Sequence, residues 1–332
     1  YRLPASEINI AAVSKQLGAN VALSDITISV SIQEPSAAMA KVVENTGKGG
    51  GFAIMAPSVD FTITSTYGQK AIDISSFNSY VERLIAIPEG VDPSKITTGV
   101  VVKPDGTVYH VPTQVTVIDG KYYAVINSLT NSTYSVIWNP IEFADVTHHW
   151  AKSSINNMGS RKVVTGIGSN NYNPDAAITR AEFAAIIVRG LGLEPQTGSN
   201  SFKDVDSSKW YSGYIKTAVS YGIVKGYSED TFGPQDTITR EQAITMIGRA
   251  MKITRLNADL NSSEITTSIS VYLEGSKVAA YAQESMAACL KASIVYGRED
   301  NLLAPKADIT RAETAVMVER LLQNSELIDS RK

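Results

Sequence analysis

From position 21 to about 138, apolar and polar residues alternate in short runs rich in β-branched and aromatic side chains: VALSDITISVSI, VDFTITSTY, YVERLIAI, TTGVVV, VYHVPTQVTVI, KYYAVI and STYSVIW. A period of two with this composition predicts β-strands. The breaks carry turn chemistry, with Pro104-Asp105-Gly106 and Asp119-Gly120 reading as hairpin turns. One segment differs: AAMAKVVENTGKGGG at 37–51 predicts a helix closed by a glycine-rich loop. Residues 1–140 are therefore expected to form a β-sandwich-like module with a short helical insertion. After Trp138-Asn139-Pro140 the pattern changes to helical runs between Gly/Asn/Pro loops, which puts a boundary near 140–143.

The second half repeats itself. Counting from Trp150, Trp210 and Tyr281, position plus sixteen is Gly166, Gly226 or Gly297, and plus twenty-four is Pro174, Pro234 or Pro305. Plus thirty is Arg180, Arg240 or Arg311, and plus thirty-nine is Arg189, Arg249 or Arg320. No gap is needed in any copy. The repeats are expected at 141–196, 197–260 and 261–332, the last with a C-terminal tail. Each begins with a helix whose apolar face is Ile155, Met158 and Val163 in the first copy and Ile215, Ala218 and Ile223 in the second. The glycine is expected to end that helix, through a positive φ that closes a helix or turns a loop. A polar loop and its proline follow.

A second helix then opens on Ile-Thr-Arg. Thr179, Thr239 and Thr310 are N-caps, and Glu182, Gln242 and Glu313 three residues on complete capping boxes. Capping explains the Thr and the Glu/Gln but not the Arg, because a cation in a first helical turn opposes the macrodipole. Two readings remain for Arg180, Arg240 and Arg311. In one the guanidinium bonds loop carbonyls or a neighbouring Asp; in the other it joins the exposed N–H groups of the helix start in holding a carboxylate or phosphate.

Charge and composition narrow the field. Thirty basic against 33 acidic residues give a net charge of -3, with no run of five like charges, which argues against a nucleic-acid surface. The longest apolar windows are broken by Arg189, Glu319 and Arg320, so no membrane span is predicted. Cys289 is the single cysteine, which excludes an internal disulfide, and AACLKASIV makes it a small core residue. Tyr1-Arg2-Leu3-Pro4 reads as a cut inside a longer protein.

Phe143-Ala-Asp145-Val-x-x-x-Trp150-Ala, the Gly166 loop and Ile178-Thr-Arg-Ala-Glu-Phe183, followed by two further copies, resemble the S-layer homology repeat over about 143–325. The resemblance implies a mainly α, pseudo-threefold unit in which each repeat gives one helix to a central three-helix bundle and its remaining elements to a prong, with ligand grooves between prongs. It implies a location on the cell surface of a Gram-positive bacterium, anchored non-covalently to a secondary cell-wall polymer on peptidoglycan that is often capped by pyruvylated N-acetylmannosamine. Carried over, Arg180, Arg240 and Arg311 are expected to hold the pyruvyl carboxylate. Asp145 and Asp204 are expected to take sugar hydroxyls or orient an Arg, and the backbone at Gly166, Gly226 and Gly297 to approach the sugar. Trp150 and Trp210 are expected either to wall the grooves or to pack in the core. In the third copy Tyr272-Leu273-Glu274 replaces Phe-x-Asp, so fewer than three equivalent sites are expected. Arg189, Arg249 and Arg320 are expected in packing or ion pairs.

The rival readings are a subunit of an S-layer lattice and a fragment of a wall-glycan hydrolase. The carboxylates of the first half, Asp60, Asp73, Glu82, Glu89 and Asp92, have no catalytic spacing, and no HExxH or nucleophile motif occurs. His148-His149 and Ser228-Glu-Asp-Thr-Phe-Gly233 lack metal-ligand spacing. No enzyme activity, cofactor or metal is expected.

Overall fold

A computed structural model describes residues 2–4, 7–8, 10–17 and 21–330; Tyr1, Arg331 and Lys332, at the ends of the expected first and last segments, lie outside them. The chain divides into two compact units, Tyr1–Pro140 and Ile141–Lys332.

In the first unit, strands β1 (Thr27–Gln33), β2 (Ala53–Tyr67), β3 (Lys70–Asp73), β5 (Thr98–Val102), β6 (Val108–Val111) and β9 (Thr133–Trp138) form one sheet, in the order β1-β2-β9-β5-β6 with β3 also on β2. Strands β4 (Ser76–Ala86), β7 (Thr113–Ile118) and β8 (Lys121–Thr130) form a second, in the order β4-β8-β7. Phe61, Val101, Val111, Tyr134 and Val136 of the first sheet pack against Ile85, Ala124 and Ile126 of the second, which is the core of a sandwich. The chain passes from one sheet to the other at Pro112, which has no N–H to place in a ladder. Asp119 and Gly120 join β7 to β8 with φ of 50 and 75, the geometry a two-residue hairpin needs.

Among the described residues this unit also has the α-helices α1 (Ile10–Leu17) and α2 (Ala37–Gly50). The glycine-rich loop expected after α2 is a correction: Gly47, Gly49 and Gly50 are helical, and only Gly51, with φ 71, leaves the helix. Packing admits them, since a Cβ on Gly47 would sit at 3.4 Å from Ile54.

The second unit holds three helix pairs: α3 (Lys152–Ser160) and α4 (Arg180–Gly190), α5 (Ser212–Ser220) and α6 (Arg240–Thr254), α8 (Ala280–Lys291) and α9 (Arg311–Asn324). An extra helix, α7 (Ser262–Ser270), precedes the third pair. Helices α4, α6 and α9 touch one another at the centre, and each first helix packs on a second helix from another repeat: α5 on α4, α8 on α6, α3 on α9. The helix pairs thus close into a threefold cycle. The expected apolar faces, from Ile155 to Ile223, are wholly buried.

The glycines expected to end the first helices do not. Left-handed residues follow those helices at Lys162, Gly222 and Ser293, with φ of 63, 68 and 56, and Gly166, Gly226 and Gly297 are not in the positive-φ region. All three predicted capping boxes form: the Thr Oγ1 accepts from the N–H of the residue three further on at 3.2, 3.4 and 3.1 Å, and the Glu or Gln side chain accepts from the Thr N–H at 3.0, 3.2 and 2.9 Å.

Candidate functional site

The three Ile-Thr-Arg segments meet. The N–H of Ile178 donates to the carbonyl of Ile309 at 3.2 Å, that of Ile309 to Ile238 at 3.0 Å, and that of Ile238 to Ile178 at 3.1 Å. These three buried isoleucines form a closed triangle of main-chain bonds. The next two N–H groups of each second helix follow the same cycle. Arg180, Arg240 and Arg311 donate through their main-chain N–H to the carbonyls of Asp236, Ala307 and Ala176, each at 2.9 Å; Ala181, Glu241 and Ala312 donate to those of the three loop prolines. A helix start leaves its first N–H groups without partners inside the helix. Here the neighbouring repeat and the capping box take them, so they do not converge on a ligand as one reading of the sequence required.

The guanidiniums follow the cycle too. Arg180 donates from Nε to the Phe232 carbonyl at 2.9 Å and from Nη2 to that of Lys225 at 3.1 Å. Arg240 does the same to Leu303 and Tyr296 at 3.1 and 3.2 Å, and Arg311 to Tyr172 and Thr165 at 2.9 and 2.8 Å. All three are buried, at 3, 2 and 8% exposure. Each ties its own helix to both ends of a neighbouring repeat's polar loop, which gives the cation a structural task that outweighs the few tenths of a kcal/mol lost to the macrodipole.

The remaining edge, Nη1, distinguishes the copies. Arg240 Nη1 meets Glu313 at 2.7 Å and Arg311 Nη1 meets Glu182 at 3.4 Å. The residue in the corresponding place for Arg180 is Gln242, and among the described residues Arg180 makes no ion pair; it lies over the rings of Tyr227 and Phe232 at 4.2 and 4.8 Å. Burial pushes its ionisation down, opposed by Tyr227 and, more weakly, Asp236. Burial also pushes the Glu313 carboxyl up, but the hydrogen bond from Arg298 at 2.8 Å and the charge of Arg240 outweigh it and hold Glu313 below its ordinary value.

The other expected site residues serve the loop. Both oxygens of Asp145 accept main-chain N–H groups, from Tyr172 at 2.8 Å and Asn173 at 2.6 Å, and Asp204 accepts from Phe232 and Gly233. Glu274 does not take this place: it pairs with Lys277 at 2.6 Å, and the third loop is held by a main-chain bond from Leu303 to Leu273. At Gly166 a Cβ would lie 2.6 Å from the Asn171 carbonyl oxygen, and at Gly226 2.4 Å from that of Ser228. Gly297 is tight as well, with Asn301 at 3.0 Å. These glycines thus let their own loops close.

Trp150 and Trp210 stand clear of the core, at 66 and 56% exposure, and the equivalent Tyr281 at 57%. Each Trp lines a groove. One, of about 330 Å³, is bounded by Thr165, Glu182, Ile186 and Arg189 of the first repeat, Trp210 of the second and Arg311 of the third. Another, of about 970 Å³, includes Tyr296, Gly297, Arg298, Glu313 and Arg320 of the third repeat, Trp150 of the first and Arg240 of the second. Arg189 and Arg320, placed by sequence in packing or ion pairs, stack on Tyr214 and Tyr296 at 4.6 and 4.7 Å and line these grooves. Their equal spacing from the anchor carried that signal; helical position alone did not. Cation, carboxylate and exposed indole side by side offer charge-assisted hydrogen bonds and an apolar face, a combination that suits a sugar.

Comparison with known proteins places S-layer homology domains at residues 142–184, 201–244 and 275–315. The chain is 31% identical to an amylopullulanase of Thermoanaerobacterium thermosulfurigenes, over 80% of this chain and 14% of that protein. It is 33% identical to a cellulosome-anchoring protein of Acetivibrio thermocellus, over 35% of this chain and 27% of that one. With a surface-layer 125 kDa protein of Lysinibacillus sphaericus the identity is 30%, over 53% and 14%. The chain thus spans between 14 and 27% of the length of these relatives.

Proposed function

We propose that this chain, which carries three tandem S-layer homology domains, anchors a larger protein to the cell wall by holding an acidic secondary cell-wall polymer attached to peptidoglycan in the grooves between its repeats. Its place is the cell surface. The polymer unit we assign is pyruvylated N-acetylmannosamine. The observation that carries this reading is the pairing, in two grooves, of an exposed tryptophan with an arginine of a second helix: Trp210 with Arg189, and Trp150 with Arg320. The indole offers an apolar face to the sugar ring, and the guanidinium a fork for the ketal carboxylate. Arg180, Arg240 and Arg311 contribute through their Nη1 edges while their other nitrogens hold the groove in shape.

We read the stretch as an attachment element without catalysis of its own. Relatives named as an amylopullulanase, an endoglucanase, a surface-layer protein and a cellulosome-anchoring protein match it alike, and attachment suits them all. The test is calorimetric titration with pyruvylated N-acetylmannosamine and with the same sugar lacking the ketal. The acid is expected to bind at least about tenfold more tightly, the effect of one charge-assisted contact. Equal affinities sink the carboxylate assignment.

A further inference from the structure

We infer that His149 is a positioning residue, which holds Trp150 in place as a sugar platform on the wall of the larger groove. The inference rests on the wall-glycan reading above and names what keeps one of its two indoles still.

An exposed ring makes a good platform only when it is already fixed, because a side chain that is free to turn loses that freedom when a sugar stacks on it. Trp210 has its support within its own repeat and the one before. Tyr211 and Tyr214 meet it edge-on, with ring centroids 5.5 and 6.3 Å away at 78 and 63°, and Arg189 lies over it at 5.7 Å. In the first repeat the places of Tyr211 and Tyr214 are taken by Ala151 and Ser154, which have no ring to offer Trp150.

His149 supplies one. Its ring lies 5.5 Å from that of Trp150, tilted by 36°. The imidazole is itself held on both sides. Nδ1 accepts the N–H of Ala151 at 3.1 Å, and since a main-chain N–H can only donate, the neutral ring carries its proton on Nε2. That nitrogen meets Asp175 Oδ1 at 3.1 Å, across 26 residues of chain. The main chain is fixed as well: the His149 N–H donates to the carbonyl of Val146 and its own carbonyl accepts from Lys152, each at 3.0 Å. Only 12% of the side chain is exposed. Asp175 and Ala177 line the larger groove with Trp150, and Ala177 bridges to Thr310 on the third repeat's side. His149 thus joins the indole to the loop that continues the same wall. The pairing belongs to the first repeat alone, because the places of His149 and Asp175 hold Lys209 and Gln235 in the second and Ala280 and Lys306 in the third.

The test reads the indole and the binding separately. The chain has three tryptophans, so Trp138→Phe with Trp210→Phe leaves Trp150 as the only one, and the decay of its fluorescence anisotropy follows that ring. Adding His149→Ala is expected to bring in a fast decay of large amplitude. His149→Gln, whose amide keeps one donor and one acceptor, is expected to suppress it. With all three tryptophans present, the methyl glycoside of pyruvylated N-acetylmannosamine is titrated calorimetrically. His149→Ala is expected to weaken one of two sites about three- to tenfold, the scale of freeing a side chain that binding must then immobilise, and His149→Gln to restore it. Unchanged anisotropy and affinity in His149→Ala overturn the positioning role while the wall-glycan reading stands, and so does weakened binding with Trp150 as still as before. Should His149→Ala melt below the working temperature, a His149→Gln variant that folds but does not bind like the parent overturns it too. If the unaltered chain fails to bind the acid sugar, the wall-glycan reading falls, and the anisotropy alone decides whether His149 holds Trp150.

Discussion

The Arg240 side chain has three acceptors within reach and nearly no solvent. Removing its side chain strands the carbonyls of Leu303 and Tyr296 and leaves Glu313 with Arg298 alone. Arg240→Ala is therefore expected to lower stability by about 3 kcal/mol, the scale of breaking a buried charged network at one partner, as read from a urea denaturation curve. A variant that melts like the parent overturns this structural role. Glu313 makes the same network sensitive to acid. Because the folded state holds its carboxyl below the usual 4.5, the stabilisation is full above the unfolded value and disappears as pH falls through the folded one. Glu313→Gln keeps the cap and is expected to flatten the decline of Tm below about pH 4.5, measured by a series of melts. Loop carbonyls were one of the two partners the sequence offered these arginines; that the carbonyls belong to another repeat was not legible, because carbonyls leave no mark in a sequence. Thr179 and Glu182 were legible, because both halves of a capping box lie within four residues.

At the scale of elements, local signals carried the helix starts and failed at the helix ends. Lys162 and Ser293 adopt the left-handed conformation where glycine was expected, and only Gly222 follows the rule. The residue after each bonds back into its helix, the N–H of Val163 to Met158 at 2.9 Å, of Ile223 to Ala218 at 2.8 Å and of Ile294 to Cys289 at 2.9 Å. The starts themselves are testable. Thr239→Ala removes one acceptor from α6 and is expected to cost about 1 kcal/mol, seen as a lower denaturation midpoint with an unchanged slope. Glu241 joins the start of α6 to the start of α8, accepting from the N–H of Ala279 at 3.0 Å as well as from Tyr281. Burial and then Glu241 push the Tyr281 hydroxyl up to about 12. Glu241→Gln is expected to bring that ionisation down toward 10, visible as an earlier phenolate component in an ultraviolet titration; an unmoved curve separates Tyr281 from Glu241.

For the molecule, the alternating strand pattern foretold a sandwich and the spacing three helical repeats, while their threefold arrangement was what the family resemblance implied; among the described residues no helix is long and apolar enough to cross a membrane. What the spacing left unstated was closure. Stacked repeats usually touch only their neighbours in sequence, whereas here the third repeat also bonds the first, through Arg311 and Tyr172, 139 residues apart. A chain ended near residue 260 lacks the carbonyls that receive Arg240 and the partner of the Ile178 N–H. Such a chain is expected to lose its cooperative melting transition in circular dichroism, and retention of a sharp transition contradicts the cycle. Contacts this distant also make folding slow. The triangle of Ile178, Ile238 and Ile309 therefore works as a clock as well as a joint. A polypeptide threaded across a membrane N-terminus first cannot lock this unit until its last third has emerged, so the clasp stays slack throughout passage and fastens on the far side.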